Sequence, residues 1–409
     1  AVLCVDLDHF KTVNDTLGHD IGDEVLRSAA ERMRSCCRDI DLVARLGGDE
    51  FAVLQGSLRQ ADDAAVLARR IVEVVGKPYE IKGHHIVIGA SIGIGVAPND
   101  GTSAEALMKH ADLALYRAKK EGRDTFHFFE AGMDLALQRR LMLEVGLKAA
   151  MVRDELRVVF QPLINLAENR ICAFEALVRW DHPQNGPIPP TEFVPIAEET
   201  GLIGQIGEWV LREACAAAAG WPADIRVAVN LSPLQFTGKA LVRHVDSALQ
   251  LSGLKANRLE LEVTESLLLI NNVGTLDTLH RLRAMGVRIS MDDFGTGYSS
   301  LSYLRSFPFD KLKIDRSFIA ESTKNPESLA IVKAVIGLGR SLGMTTTAEG
   351  VETEAQLELA RAEGATEVQG FLFSLPLPAV EVSELLSRLG DRPSGESLKP
   401  HDSHTRQRL

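Results

Sequence analysis

Along residues 1–130, short β-branched apolar runs alternate with stretches whose apolar residues recur at helical spacing. "AVLCVDL" reads as a buried strand, and "GDEVLRSAAERMRSCC", "AAVLARRIVEVV" and "SAEALMKHADLALYRAKKEG" read as amphipathic helices, the last stopped by a glycine. "LVARL" and "EFAVL" flank Gly47-Gly48, the strongest short hairpin signal in the chain, and "HHIVIGASIGIGVA" reads as a strand pair. This order predicts an α+β domain over 1–130, followed by a helical connector over 131–152.

From 153 the rhythm changes. Strands are predicted at 156–164, 171–179, 226–231, 258–264, 287–293, 311–315, 345–349 and 367–373, with helical patterns such as "LVRHVDSALQLSG" and "LAIVKAVIGLGRSLG" between them. Eight strands with helical crossovers point to an α/β domain over 153–390, a (β/α)8 TIM-like barrel. Only "LAENR" joins the first pair, too short for a parallel crossover, so one strand is expected to run antiparallel. The polar stretch 391–409 is expected to be a disordered tail.

Composition changes this picture little. The chain has 409 residues, 45% hydrophobic and 25% charged, which suits soluble globular domains. A net charge of −11 argues against a nucleic-acid polymer or an anionic membrane as partner, while leaving room for a local basic pocket. The five cysteines show no metal-ligand spacing, so a reduced, cytoplasmic compartment is the simplest expectation. No apolar run reaches the roughly 18 residues of a spanning helix. The chain starts at Ala1 directly in a strand, so an upstream segment is expected, and any membrane attachment would lie there.

The chemistry concentrates at the strand ends of the second domain, where barrels carry their active sites. Those ends hold Glu175, Asn230, Glu262, Asp292 with Asp293, Lys313, Glu349 and Gln369. Converging so many carboxylates is costly unless cations offset their repulsion, and oxygen ligands with one amide suit Mg²⁺ or Mn²⁺. Two such ions would polarise a phosphodiester and acidify a water, with Lys313 stabilising the hydroxide and Glu349 accepting its proton. Adjacent residues of a regular strand face opposite ways, so Asp292 and Asp293 can both reach metal only if the strand breaks there. The following "FGTGYSS" supplies glycines for such a break.

Residues 153–390 resemble the EAL family of cyclic di-GMP phosphodiesterases through "FQPL", "EALVRW", "VNLS", "LELEVTES", "MDDFGTGYSSL", "KLKIDRSF", "TTAEGVE" and "QGFLFSLPLP". The resemblance implies Glu175, Asn230, Glu262, Asp292 and Asp293 as metal ligands, with Lys313 and Glu349 positioning and activating water. It implies Gln161, Arg179 and Gln369 as contacts to the dinucleotide, Arg179 on a phosphate. Glu265 would hold the "DDFGTGYSS" loop, which couples metal binding to dimerisation in such proteins. Leu375 departs from the family, many of whose members carry arginine there.

The first domain resembles the GGDEF family of diguanylate cyclases through "VDLDHFKTVNDTLGHDIGDEVL" and "RLGGDEF". Here Asp6 and Asp49 would hold Mg²⁺ on GTP, glycines would let backbone amides approach the phosphates, and Glu50 would assist the attacking hydroxyl. The resemblance further implies Asn14 and Asp23 on the guanine edge and Lys119 and Arg123 on the phosphates. It makes Arg38 and Asp41 of "RDID" an inhibitory product site. Members of the family carry about 35 further residues before the Asp6 strand, including a helix that packs on the sheet, so this domain reads as N-terminally truncated.

Three functions compete. One is a metal-dependent phosphodiesterase that opens cyclic di-GMP to linear pGpG under a GTP-binding regulatory domain. The second is a bifunctional enzyme with diguanylate cyclase activity, and the third a non-catalytic cyclic di-GMP receptor. The complete set of expected metal ligands favours the phosphodiesterase, expected as a homodimer.

Overall fold

The computed structural model describes residues 1–237, 240–269, 273–295, 307 and 309–390. The chain divides into two compact units, Ala1–Met142 and Leu143 onward. The helix Met133–Ala150 runs through that division. No helix among the described residues is long and apolar enough to cross a membrane.

The first unit is built on five strands, β1 (Val2–Leu7), β2 (Leu42–Gly47), β3 (Glu50–Leu54), β6 (Ala90–Gly95) and β7 (Phe126–Phe128), in the order β2-β3-β1-β6-β7. β1 is antiparallel to both its neighbours, and β6 pairs β7 in parallel. Every residue of β1 is buried because both faces are covered. Leu3, Val5 and Leu7 pack with Val25 and Met33 of helix His19–Cys36 and Leu67 and Ile71 of helix Asp62–Val75. Val2 and Cys4 on the opposite face meet Ala111 and Leu115 of helix Ala104–Lys120. That helix sits so close that a Cβ on Gly93 would fall 1.9 Å from the Ala111 carbonyl oxygen. "HHIVIGASIGIGVA" does hold two strands, but they do not pair with each other. β5 (His84–Ile86) forms a separate hairpin with β4 (Tyr79–Ile81), while β6 joins the main sheet.

The second unit contains the closed barrel: β8 (Leu156–Asn165), β9 (Arg170–His182), β11 (Arg226–Leu231), β12 (Leu259–Thr264), β13 (Arg288–Phe294), β14 (Lys311–Ile314), β15 (Thr345–Ala348) and β16 (Glu367–Gln369). Short strands β10 (Gly186–Ile188) and β17 (Leu377–Pro378) pair with β9 and β8. β8 is antiparallel to both β9 and β16, as the five-residue "LAENR" connection requires, and the remaining neighbours are parallel.

Side-chain alternation divides these strands between two environments. Leu259, Leu261 and Val263 of β12, Ile289 and Met291 of β13, and Leu312 and Ile314 of β14 belong to the apolar core. The alternate residues Glu260, Glu262, Ser290, Asp292, Lys311 and Lys313 are buried and polar. Barrel interiors are commonly filled by layers of branched apolar side chains; this one carries charge instead. The expected tail at 391–409 lies outside the described residues.

Candidate active site

Lys313 is the hub of the barrel's C-terminal end. Its ammonium lies 2.6 Å from Glu349, 2.9 Å from Glu262, 3.2 Å from Asp292 and 3.8 Å from Glu175. β12, β13, β14 and β15 deliver Glu262, Asp292, Lys313 and Glu349 in or just past their C-terminal halves. Glu175, expected at a strand end, lies instead in the middle of β9, because that strand runs on to His182. The Gln369 amide donates to Glu175 at 2.6 Å and to Gln161 at 3.1 Å, and the Asn230 amide donates to the other Glu175 oxygen at 2.6 Å. Gln161 is tied in turn to the Ser374 carbonyl.

The strand break required by Asp292 and Asp293 is present. The β13–β14 register shifts between Met291 and Phe294, and Asp293 takes a left-handed φ of 53°. One carboxylate oxygen each from Asp292, Asp293 and Glu349 fall within 4.8 Å of one another, so adjacent residues do converge. Gly295 continues the turn at φ 99°, and residues 296–300 of "FGTGYSS" lie outside the described residues.

The electrostatics are those of an over-supplied anionic site. Burial works against the Lys313 charge, but Asp292, Glu175, Glu262 and Glu349 raise its pKa well above the usual lysine value. Burial pushes Glu349 up to about 8, against the pull of Lys313. Glu262 is likewise raised by burial, while for Glu175 burial is outweighed by Lys313 and the Gln369 and Asn230 amides, which hold it low. Burial and the neighbouring Asp292 raise Asp293 to about 6. One ammonium therefore faces four carboxylates, and Glu262 Oε1 is buried without a partner among the described residues. This donor set fits hard divalent cations, which would supply the missing positive charge.

Arg179 is half-buried on β9, four residues beyond Glu175 and on the same side of the strand, and it donates to the Val178 carbonyl at 2.9 Å. Glu265 begins the short helix after β12. It is 7% exposed, and both of its carboxylate oxygens are unpartnered among the described residues.

Sequence reasoning stopped at the strand ends and missed the layer beneath. Lys311, fully buried, contacts Glu260 at 2.6 Å and Glu367 at 2.7 Å, while Arg226 and Arg288 reach those carboxylates from outside at 2.7 Å and 3.4 Å. Glu260, Lys311 and Glu367 stand two positions before Glu262, Lys313 and Gln369 on the same side of their strands. Period-2 alternation in "LELE" and "KLKI" was the available signal.

In the first unit, Asp6 is the penultimate residue of β1 and stands opposite Glu50 of β3. Burial raises the Asp6 pKa, opposed by the Lys119 ammonium 2.6 Å away. The hairpin tip docks on the end of β1 through a bond from the Leu7 amide to the Asp49 carbonyl. Gly48 adopts φ 51°, and the Arg45 guanidinium clamps its carbonyl through bonds of 2.7 and 3.0 Å. Asn14 lies against Gly22, where a Cβ would stand 1.9 Å from its Oδ1, and Asp23 follows at the surface. Arg123 approaches the buried Asp8 at 4.0 Å. Arg38 is exposed, whereas the Asp41 carboxylate accepts from the Arg38 and Gly56 amides and so organises its own turn.

Residues 145–376 match the EAL domain family, and residues 1–125 match the family described as diguanylate cyclase, GGDEF domain. The chain is 47% identical over 386 residues to the bifunctional diguanylate cyclase/cyclic di-GMP phosphodiesterase MucR of Pseudomonas aeruginosa, covering 93% of this chain and 56% of that protein. It is 43% identical over 390 residues to the cyclic di-GMP phosphodiesterase NbdA of the same organism, covering 94% and 50%. The chain thus spans about half the length of the curated relatives it matches. The solved phosphodiesterase of MucR in complex with c-di-GMP aligns with a TM-score of 0.57 and 47% identity, over 59% of this chain and 99% of that one.

Proposed function

The chain belongs to the EAL domain family, with a GGDEF domain preceding the EAL domain, and from that premise we propose that its barrel hydrolyses cyclic di-GMP to linear pGpG. The observation carrying this reading is the convergence of Glu175, Glu262, Asp292 and Glu349 on Lys313 at the catalytic end of the barrel. Divalent cations, Mg²⁺ or Mn²⁺, held by Glu175, Asn230, Glu262, Asp292 and Asp293 would polarise the phosphodiester and acidify the attacking water. Glu349, whose pKa is raised to about 8, accepts the water proton. Lys313 balances the negative charge that grows as the water oxygen bonds to phosphorus and the P–O3′ bond breaks; solvent protonates the departing 3′ oxygen. Arg179 holds a phosphate oxygen, and Gln161 and Gln369 orient the dinucleotide while fixing Glu175.

The first domain supports a second reading, binding of GTP. Asp6 and Asp49 would hold Mg²⁺ at the triphosphate, Lys119 and Arg123 would meet the phosphates, and Asn14 and Asp23 the guanine. Glu50, opposite Asp6, is placed to assist the attacking hydroxyl in a cyclase reaction. Arg38 and Asp41 would take product. A homodimer, with Glu265 bracing the loop after Asp293, and a cytoplasmic setting complete the proposal.

The test is chromatography of cyclic di-GMP incubated with the purified chain and Mg²⁺, with Glu175→Ala as control. Linear pGpG from the parent alone supports the assignment. Intact dinucleotide from both, despite binding, overturns hydrolysis and leaves a receptor.

A further inference from the structure

At the N-terminal edge of the barrel, opposite the catalytic end, lies a pocket of about 510 Å³, within the range of small-molecule sites. Its charged lining is Arg226, Arg258, Arg283, Arg288, Asp224 and Asp310. Arg226 and Arg288 are the first residues of β11 and β13, and Asp310 immediately precedes β14.

A rigid barrel needs closure at this end, and part of the cluster supplies it. Arg258 is spent on the carbonyls of Ile225, Ala218 and Trp221. The other guanidiniums are under-used. Arg226 gives Nη2 to Glu367 and Arg288 gives Nε to Glu260. Arg283 approaches Asp310 only at 3.8 Å, beyond hydrogen-bond reach, and Asp310 already accepts from the Ile289 amide. Asp224 is drawn to Arg170, which is not part of the lining. Arg283 Nη1 and Arg226 Nε are buried without a partner among the described residues. A guanidinium has five donors, and leaving them unmet in a recess costs free energy. The two acidic side chains of the lining are thus engaged, while these two cationic donors have no partner among the described residues.

We propose that this pocket binds a small oxyanion of the phosphate class, held between Arg283 and Arg288. Such an anion presents several acceptors to planar guanidinium edges, the pairing that arginine serves best. The side chains of Arg283 and Arg288 are 37% and 27% exposed, so both can be reached from solvent. The site is independent of the phosphodiesterase reading. Its ligand is free phosphate or the phosphate group of a metabolite.

The experiment is calorimetric titration of inorganic phosphate, and separately of ribose 5-phosphate, into the metal-free full chain at constant ionic strength in chloride. Parent, Arg283→Gln, Arg288→Gln and Arg179→Gln are compared, because Arg179 serves a different phosphate position. A binding component retained in Arg179→Gln and weakened about tenfold in each of the other two, a loss of one good charge-assisted contact, supports the site. Tighter binding of ribose 5-phosphate then assigns it to a phosphorylated metabolite, and equal binding to free phosphate. Phosphate isotherms of Arg283→Gln and Arg288→Gln that match the parent, with unchanged melting in chloride showing that both variants fold, overturn the proposal.

Discussion

Lys313 Nζ stands 2.6 Å from Glu349 Oε1, and the same ammonium, itself fully buried, neutralises Glu262 and Asp292 in a largely buried cluster. Removing one cation from such a group leaves carboxylates without compensation, typically at a cost of about 3–5 kcal/mol. Lys313→Met is therefore expected to unfold at markedly lower denaturant in EDTA and to regain more stability on adding Mg²⁺ than the parent does. Equal Mg²⁺ stabilisation of the two proteins would count against a cation site at these carboxylates.

The deeper layer gives a pH signature. Burial alone would raise the pKa of Glu367, but Lys311 and Arg226 outweigh it and bring the carboxyl down to about 2. A depressed acid contributes stability above its unfolded pKa, near 4.5, and loses it as pH falls toward 2; the full contribution is about 3 kcal/mol. Glu367→Gln should be less stable at pH 7, and the gap from the parent should narrow between pH 4.5 and 2. Urea unfolding across that range measures it, and a gap independent of pH contradicts the pairing.

Asp293 separates backbone from chemistry. Its φ of 53° strains most side chains, glycine least. In EDTA, Asp293→Ala should melt lower than Asp293→Gly, by roughly 1 kcal/mol of stability. Both substitutions should abolish Mg²⁺-dependent hydrolysis. Equal melting of the two would mean the left-handed turn is not maintained.

Gly22→Ala addresses the first domain alone. The new methyl would collide with Asn14, so titration with GTP should show weakened binding while cyclic di-GMP hydrolysis is unaltered. Undiminished GTP affinity would remove Asn14 from the proposed guanine contacts.

The C-terminal end of the barrel was legible because Asn230, Asp292 and Glu349 sit at or near strand ends, where a barrel gathers such groups, although Glu175 comes from the middle of β9. The convergence of Asp292 and Asp293 was also foreseeable, since adjacent carboxylates demand a broken strand. The hairpin of β4 and β5 escaped because three-residue strands give alternation too few positions to register. Lys311, Glu260 and Glu367 escaped for another reason. They lie at the starts of their strands, away from the end where a barrel keeps its chemistry, and only mutual neutralisation permits full burial of such charges. The arginines around the lower pocket come from two strands, a helix and a 3-10 turn, and no local spacing announces their meeting.

The alternation of β12 and β14 also acts as a proofreading device during folding. A slip of one residue would turn Glu260, Glu262, Lys311 and Lys313 toward the enclosing helices and send Leu259, Leu261 and Leu312 into the ionic lumen. Every odd-numbered slip would strand charge in an apolar layer, a far harsher penalty than an all-aliphatic barrel could impose on the same mistake. The salt-bridged interior thus disfavours every alignment that exchanges the two faces of the strand.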